Sequence, residues 1–240
     1  MYFRDRADAG RKLATSLVEY AGRPDLVVLA LPRGGVPVGY EVARSLGAPL
    51  DIFLVRKLGV PGHEELAMGA IASGGVRVVN PGVVQALEIP EQVIEDVAAA
   101  ELRELERRER AYRDDRPPPD VRGKTVILVD DGLATGSTMR AAATALRQQG
   151  PARIVVGVPV STPETCDRFR REVDDIVCAI TPEVLFGVGA WYQDFSQTTD
   201  DEVRDLLARA ASGQQVRAGR AALRSRKRAC PTRSHTLHRA

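Results

Sequence analysis

The sequence predicts an α/β fold in which a parallel sheet carries helices on both faces. Apolar runs of strand length alternate with stretches of helical periodicity along the chain, which is the order of a sheet with crossover helices. The runs are apolar throughout, as strands covered on both faces are. The length of 240 residues, with 44% hydrophobic and 28% charged residues, fits one large domain of a soluble globular protein, alone or with a small appendage.

The first half of the chain opens with the apolar run LVVLAL, closed by Pro32, and a stretch of helical spacing at residues 36–47. The run APLDIFLV, residues 48–55, predicts the second strand. Within residues 65–80, two shorter strands are expected to pair around Ser73-Gly74-Gly75, because glycines favour a tight turn between apolar segments.

Residues 90–113 predict the longest helix, which begins at Pro90 and ends before the turn-prone DDRPPPD. Its Glu and Arg residues form i,i+4 pairs in the stabilising order. Its apolar stripe consists of Ile94, Val97, Leu102, Leu105 and Tyr112. The pattern favours a solvated helix packed on the body of the protein, and the interface of a homodimer is the alternative.

The second half continues the alternation of strands and helices. Strands are predicted at residues 123–130 and 152–160, and a helix between them at residues 136–150. A further helix at residues 162–173 begins with a threonine cap.

The formal net charge of +2 conceals an asymmetry along the chain. Residues 211–240 contain eight Lys or Arg residues and no Asp or Glu, so residues 1–210 hold 26 basic against 32 acidic residues. We predict one folded domain over residues 1–210 and a basic, disordered tail over residues 211–240. Such a tail would contact nucleic acid only weakly and in a salt-dependent way.

Several classes of protein are disfavoured. No apolar run approaches the roughly 20 residues of a membrane span, and the charged N-terminus lacks the apolar segment of a secretory signal. Three cysteines without a close pair argue against a disulfide framework or a zinc site. We therefore expect a cytoplasmic protein with no membrane partner. Only His63 of the three histidines lies in the body, which leaves little for a catalytic triad or a histidine metal site.

The segment VILVDDGLATGST, residues 126–138, places two acids and a loop of small residues directly after an apolar strand. Ligands of an open parallel sheet bind outside the carboxyl ends of its strands, where Asp130 and Asp131 are expected. The loop from Gly132 to Thr138 leads into a helix N-terminus, whose backbone N–H groups favour an anion. Vicinal hydroxyls or hydrated Mg²⁺ suit the neighbouring carboxylates. Together these features describe a site for a ribose 5-phosphate.

Other phosphate motifs fail on spacing. No lysine follows Gly136, as a nucleotide-triphosphatase loop requires, and no G-x-G-x-x-G follows a strand. The residue two past Asp130 is Gly132, where an aspartyl-phosphate phosphatase would have an acid. A simple helix cap would need one acid or hydroxyl and not the whole set.

The same segment resembles the signature of type I phosphoribosyltransferases that binds 5-phosphoribosyl 1-pyrophosphate (PRPP). The element order from about residue 3 to residue 210 is compatible with that fold, a parallel sheet with helices on both faces and a small hood from the terminal segments, here about residues 182–200. The resemblance implies that Asp130 and Asp131 contact the ribose diol and, through it or through water, Mg²⁺. The implied ligands of the 5-phosphate are Ala134, Thr135, Gly136, Ser137 and Thr138.

Two further elements are similar to the pyrophosphate-binding parts of that family. Arg33-Gly34-Gly35 stands between the first strand and its helix, where glycine amides beside a guanidinium suit a diphosphate and the family often has a cis peptide. Arg56 and Lys57, which we place at the end of the second strand, would neutralise the pyrophosphate. His63 lies where the family keeps a flexible catalytic loop, and it is either catalytic or a merely exposed loop histidine.

The implied reaction transfers the 5-phosphoribosyl group from PRPP to a nitrogenous base and releases pyrophosphate. Breaking the anomeric C–O bond leaves positive charge on the ribose and negative charge on pyrophosphate, so positioning, Mg²⁺ and cationic side chains supply most of the catalysis. The implied catalytic residues are Asp130, Asp131, Lys57, Arg33 and His63.

The acceptor base stays open. FGVGAWYQDFSQ, residues 186–197, resembles the hood segment of purine-type members. The resemblance implies that Trp191 or Tyr192 stacks on the base and that Asp194 accepts a hydrogen bond from its edge, although the aromatic side chains could also form the hood core. Six-oxopurine enzymes keep a lysine after the strand that follows the cradle helix, and VVGVPVSTPE has none, which puts hypoxanthine or guanine specificity in doubt.

Two function classes remain. A PRPP- and Mg²⁺-dependent transferase is favoured, because a sensor need not keep cations for a leaving group such as Arg33 and Lys57. The alternative is a non-catalytic regulator that senses PRPP or a nucleotide on the same fold and contacts nucleic acid through the basic tail.

Overall fold

The computed structural model describes residues 2–114 and 116–213. The strands in this part of the chain are β1 (Leu26–Ala30), β2 (Leu50–Ile52), β3 (Val55–Val60), β4 (His63–Ala72), β5 (Val76–Val79), β6 (Thr125–Val129), β7 (Arg153–Val160) and β8 (Asp175–Ile180). Five of these strands form a parallel sheet in the order β2-β1-β6-β7-β8, and the others form an antiparallel sheet in the order β3-β4-β5. The parallel sheet confirms the predicted α/β class.

Seven α-helices lie in the same described residues. They are α1 (Arg6–Ser16), α2 (Gly35–Leu46), α3 (Pro81–Ala86), α4 (Glu91–Arg113), α5 (Ser137–Gln148), α6 (Pro163–Phe169) and α7 (200–213). In the part of the chain that the structure covers, none of these helices combines the length and apolar character that crossing a membrane requires. Helix α7 includes residues 211–213 of the segment assigned to the basic tail, and the rest of that segment, residues 214–240, lies outside the described residues.

Helices cover both faces of the parallel sheet because successive strand side chains point to opposite sides. Val28 and Ile127 pack in one apolar cluster with side chains of α1 and α2. Val27 and Val126, their neighbours in sequence, pack in a second cluster with α5 and α6. All four side chains are buried, which explains why these strands read as uninterrupted apolar runs.

The predicted strand at residues 48–55 is wrong in one respect, since it is two strands in different sheets. The pairing of β2 with β1 ends at Ile52 opposite Ala30, where β1 itself ends. The backbone of Leu54 then bonds to Ser73, with N to Oγ at 2.8 Å and Ser73 N to Leu54 O at 2.9 Å. The chain therefore leaves the parallel sheet and starts the antiparallel one.

The antiparallel sheet consists of a long β3–β4 hairpin and β5. As predicted, residues 65–80 contain two paired strands, β4 and β5, and Gly74 and Gly75 form the turn with φ of 84° and 73°. Arg56 and Lys57 lie near the start of β3, so their predicted place at the end of a strand in the parallel sheet is wrong, for the reason just given.

The N-terminal segment and the segment after β8 pack on each other as a small hood. Phe3 forms a parallel bridge with Tyr192, and its backbone N donates to Trp191 O at 2.8 Å. Phe3, Val160 and Tyr192 are buried together. The hood of the predicted fold is therefore built from both ends of the domain.

Two cysteines are paired. The sulfur atoms of Cys166 on α6 and Cys178 on β8 are joined in a disulfide, so the expectation of unpaired cysteines is wrong for this pair. The reason is that α6 folds back onto the strand that follows it, which brings together residues 12 positions apart. Cys230 lies outside the described residues.

Candidate functional site

The acid pair and the Arg33-Gly34-Gly35 loop meet at the carboxyl ends of two neighbouring strands. Strand β1 pairs with β6 up to Ala30 opposite Val129, so the residues that follow both strands leave the sheet at the same edge. The backbone N of Leu31 donates to Val129 O at 2.9 Å. Two segments about 95 residues apart in the sequence thus form one site.

The contact between these segments depends on two glycines. A Cβ atom on Gly35 would lie 2.7 Å from Val129 O and 3.0 Å from the Cα atom of Asp130, and one on Gly34 would overlap the carboxylate of Asp131. Any other residue would therefore push the loop away from the acid pair. The peptide bond between Pro32 and Arg33 is cis.

The two carboxylates are half-buried and differ in their partners. Asp130 Oδ1 accepts a hydrogen bond from the backbone N of Asp131 at 2.9 Å. Asp131 Oδ2 accepts from Arg6 Nε at 2.9 Å, and its carbonyl oxygen accepts from the hydroxyl of Tyr192 at 2.5 Å. The hood and α1 therefore fix Asp131, while Asp130 is held by local backbone.

Burial raises the pKa of both carboxyls above their ordinary value. The neighbouring Asp131 charge raises the pKa of Asp130 further, and the hydrogen bond from Arg6 partly offsets the rise in the pKa of Asp131. Two buried acids side by side resist holding two negative charges. A cation or hydroxyl donors bound at the pair would favour the ionised form, which is what a ligand-binding carboxylate pair requires.

Arg6 is a site residue that the sequence did not indicate. Besides its ion pair with Asp131, its guanidinium donates through Nη1 to Ser196 O at 2.6 Å and stacks over the ring of Phe195 at 4.0 Å. Asp5 caps α1 by accepting from the backbone N of Asp8 at 2.6 Å. That capping pattern is a sequence signal for the helix, but nothing local points to a partner 125 residues away.

The phosphate loop ends in a helix N-terminus that no side chain caps. Helix α5 begins after Gly136, whose φ is 76°, and α2 begins after Gly34, again without a side-chain cap. Side chains do cap three other helices, namely Asp5 for α1, Asn80 for α3 and Thr162 for α6. The first backbone N–H groups of α2 and α5 have no partner within their helix and can bind an anion.

The predicted phosphate ligands are accessible from the front and supported from behind. Ala134, Thr135, Ser137 and Thr138 are exposed, whereas Gly136 is buried. The carbonyl oxygens of the loop are held by the segment after β7, where Ser161 Oγ donates to Leu133 O at 2.9 Å and Thr165 Oγ1 donates to Ala134 O at 3.3 Å.

Ser161 lies directly after β7, in the segment where six-oxopurine enzymes are expected to have a lysine. Its side chain is fully buried, and its hydroxyl is engaged with the loop. The residue therefore supports the phosphate loop and presents no group to a base.

The predicted pyrophosphate cations surround the same loop. Arg33, Arg56 and Thr138 line one cavity of about 60 Å³, and Lys57 lines another of about 320 Å³ with Ser137 and Thr138. In the described structure each cation lies beside an acid. The pairs are Arg33 with Asp200 at 3.7 Å, Arg56 with Glu101, and Lys57 with Glu65 at 3.6 Å.

His63 lies apart from this cluster. It is the first residue of β4, opposite Val60 at the turn of the β3–β4 hairpin, and it is exposed. It lines neither of the two cavities. A catalytic role for His63 stays a prediction that requires the hairpin to reach the bound substrate.

The predicted base-binding residues all lie in the hood but differ in accessibility. The ring of Tyr192 is buried between Phe3 and Phe195, at centroid distances of 5.2 and 5.0 Å, so it supports the hood core. Trp191 is half-buried and packs on Tyr2 at 5.6 Å. Asp194 is exposed, and a hydrogen bond from the backbone N of Ser196 lowers the pKa of its carboxyl.

Phe186 was not singled out from the sequence, although it begins the predicted aromatic segment. It is 95% exposed, which is unusual for a phenylalanine in a folded domain. The structure therefore offers a second accessible aromatic side chain in the hood besides Trp191.

A family model for the phosphoribosyl transferase domain matches residues 3–193 of the chain. The chain belongs to this family. The match spans the parallel sheet, the acid pair and the hood, and it confirms the resemblance and the fold that the motif of residues 126–138 predicted.

Relatives of this phosphoribosyl transferase domain are known in other bacteria. The chain is 46% identical over 208 residues to a Mycobacterium tuberculosis protein named "Putative phosphoribosyl transferase", covering 87% of this chain and 47% of the relative. The crystal structure of the protein TT1426 from Thermus thermophilus is 43% identical, with a TM-score of 0.76, covering 86% of this chain and 98% of that one. The bifunctional protein PyrR of Chloroflexus aurantiacus is 33% identical over 144 residues, covering 59% of this chain and 70% of its own. The chain spans about half the length of the mycobacterial relative.

The donor set of this phosphoribosyl transferase site fits Mg²⁺ in part. Carboxylate oxygens are ligands that Mg²⁺ prefers, and a cation would relieve the raised pKa of the acid pair. In the described ranges 2–114 and 116–213, no group of three or more His, Cys, Asp and Glu side chains could hold a metal ion. Mg²⁺ at Asp130 and Asp131 would therefore need further oxygen ligands from water or substrate.

Proposed function

We propose that this protein transfers the 5-phosphoribosyl group of PRPP to a nitrogenous base and releases pyrophosphate, in a Mg²⁺-dependent reaction. The observation that carries the proposal is the contact of the Gly34-Gly35 turn with Asp130 and Asp131. On each side of this contact a helix begins without a side-chain cap. A carboxylate pair between two anion sites suits a sugar with a phosphate at one end and a diphosphate at the other.

The proposed binding roles follow from this arrangement. Asp130 and Asp131 accept hydrogen bonds from the ribose 2- and 3-hydroxyls. The loop of residues 134–138 holds the 5-phosphate through the first N–H groups of α5 and the exposed hydroxyls. The Arg33-Gly34-Gly35 turn, with Arg56 and Lys57, holds the pyrophosphate. The exposure of the loop side chains and the cavities beside Thr138 support these roles.

In the proposed reaction a nitrogen of the base forms a bond to C1 of the ribose, while the bond from C1 to the pyrophosphate oxygen breaks. The electron pair of that bond leaves with pyrophosphate, so Arg33, Arg56 and Lys57 stabilise the growing negative charge. The acid pair and the phosphate loop hold the ribose still while positive charge develops on it. Mg²⁺, when bound, would neutralise part of the diphosphate charge. His63 on the β3–β4 hairpin stays a proposed catalytic residue.

The hood is the proposed site of the acceptor base. Trp191 has the exposed surface that stacking requires, Asp194 could accept a hydrogen bond, and Tyr192 supports both through its contact with Asp131. A cytoplasmic location and a homodimer remain predictions from the sequence. Weak nucleic-acid contact was predicted for the tail, whose residues 214–240 lie outside the described ones.

The test is release of pyrophosphate from PRPP with Mg²⁺ across a panel of purine, pyrimidine and pyridine bases. Release with at least one base is expected. Release with none, together with salt-sensitive binding of RNA or DNA, would favour the non-catalytic regulator.

Replacement of both acids by amides tests the ribose assignment. Asp130→Asn with Asp131→Asn should abolish PRPP binding in calorimetry. The double variant Asp96→Asn with Asp167→Asn removes the same charge from two exposed helical positions and should bind as the unmodified protein does. Equal affinity of both double variants would refute the assignment.

A further inference from the structure

Helix α4 contributes two side chains to the cavity beside the proposed pyrophosphate loop. Arg108 and Tyr112 line this cavity of about 60 Å³ together with Arg33, Arg56 and Thr138. The sequence pattern of α4 indicated only a solvated helix or a subunit interface. The structure instead places one end of the helix against the proposed binding site.

Three guanidinium groups surround this small cavity, and each is paired with an acid from α4 or α7. Arg108 Nε lies 2.8 Å from Glu104 Oε1, Arg56 pairs with Glu101, and Arg33 Nη1 lies 3.7 Å from Asp200 Oδ1. The arginine side chains are 39% (Arg33), 26% (Arg56) and 48% (Arg108) exposed, so a ligand from solvent can reach them. Guanidinium groups bind phosphate oxygens through paired N–H donors.

Tyr112 adds a neutral donor to the cations. Its side chain is buried, and its hydroxyl donates to Asp200 Oδ1 at 2.7 Å. Burial, and then the hydrogen bond to Asp200, raise the pKa of Tyr112 to about 12, so the hydroxyl keeps its proton at neutral pH. The carboxylate of Asp200 thus occupies a position where a hydroxyl and a guanidinium both face an anion.

We infer that Arg108 and Tyr112 bind the pyrophosphate group together with Arg33 and Arg56, and that pyrophosphate takes over the contacts that Asp200 makes in the described structure. This inference rests on the proposed function. The ligand class is a diphosphate, free or as part of PRPP.

Two adjacent arginines allow a matched test. Arg107 and Arg108 both bond to Glu104, at 2.7 and 2.8 Å, and both are at the surface, but only Arg108 lines the cavity. Calorimetry with inorganic pyrophosphate and Mg²⁺ should give a Kd about tenfold higher for Arg108→Gln, since a charge-assisted contact contributes about that factor. Arg107→Gln should stay within about twofold of the unmodified protein. Ribose 5-phosphate should bind both variants equally well.

The roles of Tyr112 and Asp200 are tested in the same assay. Tyr112→Phe should weaken pyrophosphate binding severalfold and leave ribose 5-phosphate binding unchanged. Asp200→Asn should tighten pyrophosphate binding severalfold, because the competing carboxylate is removed. Weaker binding by Asp200→Asn would overturn the exchange of partners.

Equal effects of Arg107→Gln and Arg108→Gln on pyrophosphate would overturn the inference, as would an unmodified protein that does not bind pyrophosphate. If the protein binds pyrophosphate with the expected ranking of variants but transfers a phosphoribosyl group to no base, the inference stands and the proposed enzyme activity fails. The two failures are therefore distinguishable.

Discussion

Replacement of Gly136 by alanine would test whether backbone conformation and packing both reserve this position in the phosphate loop for glycine. Gly136 has φ of 76°, and a Cβ atom there would lie 2.5 Å from Phe169 Cε2. Gly22 has nearly the same φ, 73°, with no atom within 4 Å of an added Cβ. Alanine at either position carries the left-handed backbone cost of about 1–2 kcal/mol. Only Gly136→Ala adds overpacking, which costs about 1–3 kcal/mol.

We therefore expect the free energy of unfolding in urea to fall by about 1–2 kcal/mol for Gly22→Ala and by about 2–5 kcal/mol for Gly136→Ala. Replacing Phe169 by leucine in the Gly136→Ala background should recover the overpacking part but not the backbone part, giving a coupling of about 1 kcal/mol or more in a double-mutant cycle. Binding of ribose 5-phosphate should be lost in Gly136→Ala and kept in Gly22→Ala. Equal destabilisation by the two single variants, with no coupling to Phe169, would refute the reasoning.

Two further predictions concern the acid pair. Because folding raises the pKa of Asp130, its ionisation opposes folding above the raised pKa, and this penalty disappears as the pH falls towards 3.8, the ordinary value; Asp130→Asn should therefore raise Tm without ligand at pH 8 by about 2–4 °C per kcal/mol gained, and the gain should shrink as the pH falls. Asp25→Asn is the control of opposite sign, since hydrogen bonds from Arg23 and Thr125 lower the pKa of Asp25 to about 2, so its contribution is present above the ordinary pKa and is lost as the pH falls towards 2; a lower Tm of Asp130→Asn at pH 8 would contradict the account. Gly34→Ala should weaken PRPP binding at least about tenfold, because the new methyl group displaces the carboxylate of Asp131, whereas Gly187→Ala, which has open space around it, should not; equal Kd values for the two variants would show that the turn does not need glycine.

The centre of the fold was predictable because its strands are buried on both faces. Residues of β6 such as Val126 and Ile127 are fully buried, and burial on both faces leaves a continuous apolar run in the sequence. The strand at residues 48–55 could not be divided by the same argument. Both halves of that run are apolar, and the division depends on where its partner β1 ends, which is a property of the assembled sheet.

Several elements at the periphery gave no comparable signal. Helix α1 is capped by Asp5, but its first turn lies in a charged segment. Helix α7 and strand β8 were not predicted, because their periodicity is weak where one face stays at the surface. The pairing of Cys166 with Cys178 also depends on a tertiary contact, that of α6 with the strand after it.

The candidate site divides along the same line. The residues of the phosphate loop and the acid pair follow one another within a single segment, so the kind and order of side chains could indicate a ligand. Arg6 and Asp200 lie at distant positions and act as charge partners of residues in that site. An arginine or an aspartate near a chain end has no local pattern that distinguishes it from an ordinary surface charge.

These two distant residues share one physical role. Arg6 compensates Asp131 on the ribose side, and Asp200 compensates Arg33 on the pyrophosphate side. Removing one partner of a partly buried ion pair is costly because the other charge is left uncompensated. PRPP would exchange partners at both positions, since its hydroxyls and Mg²⁺ face the acids while its diphosphate faces the arginines. The described structure can therefore keep charges of both signs in one site without PRPP, and the differential strength of the exchanged contacts determines the affinity.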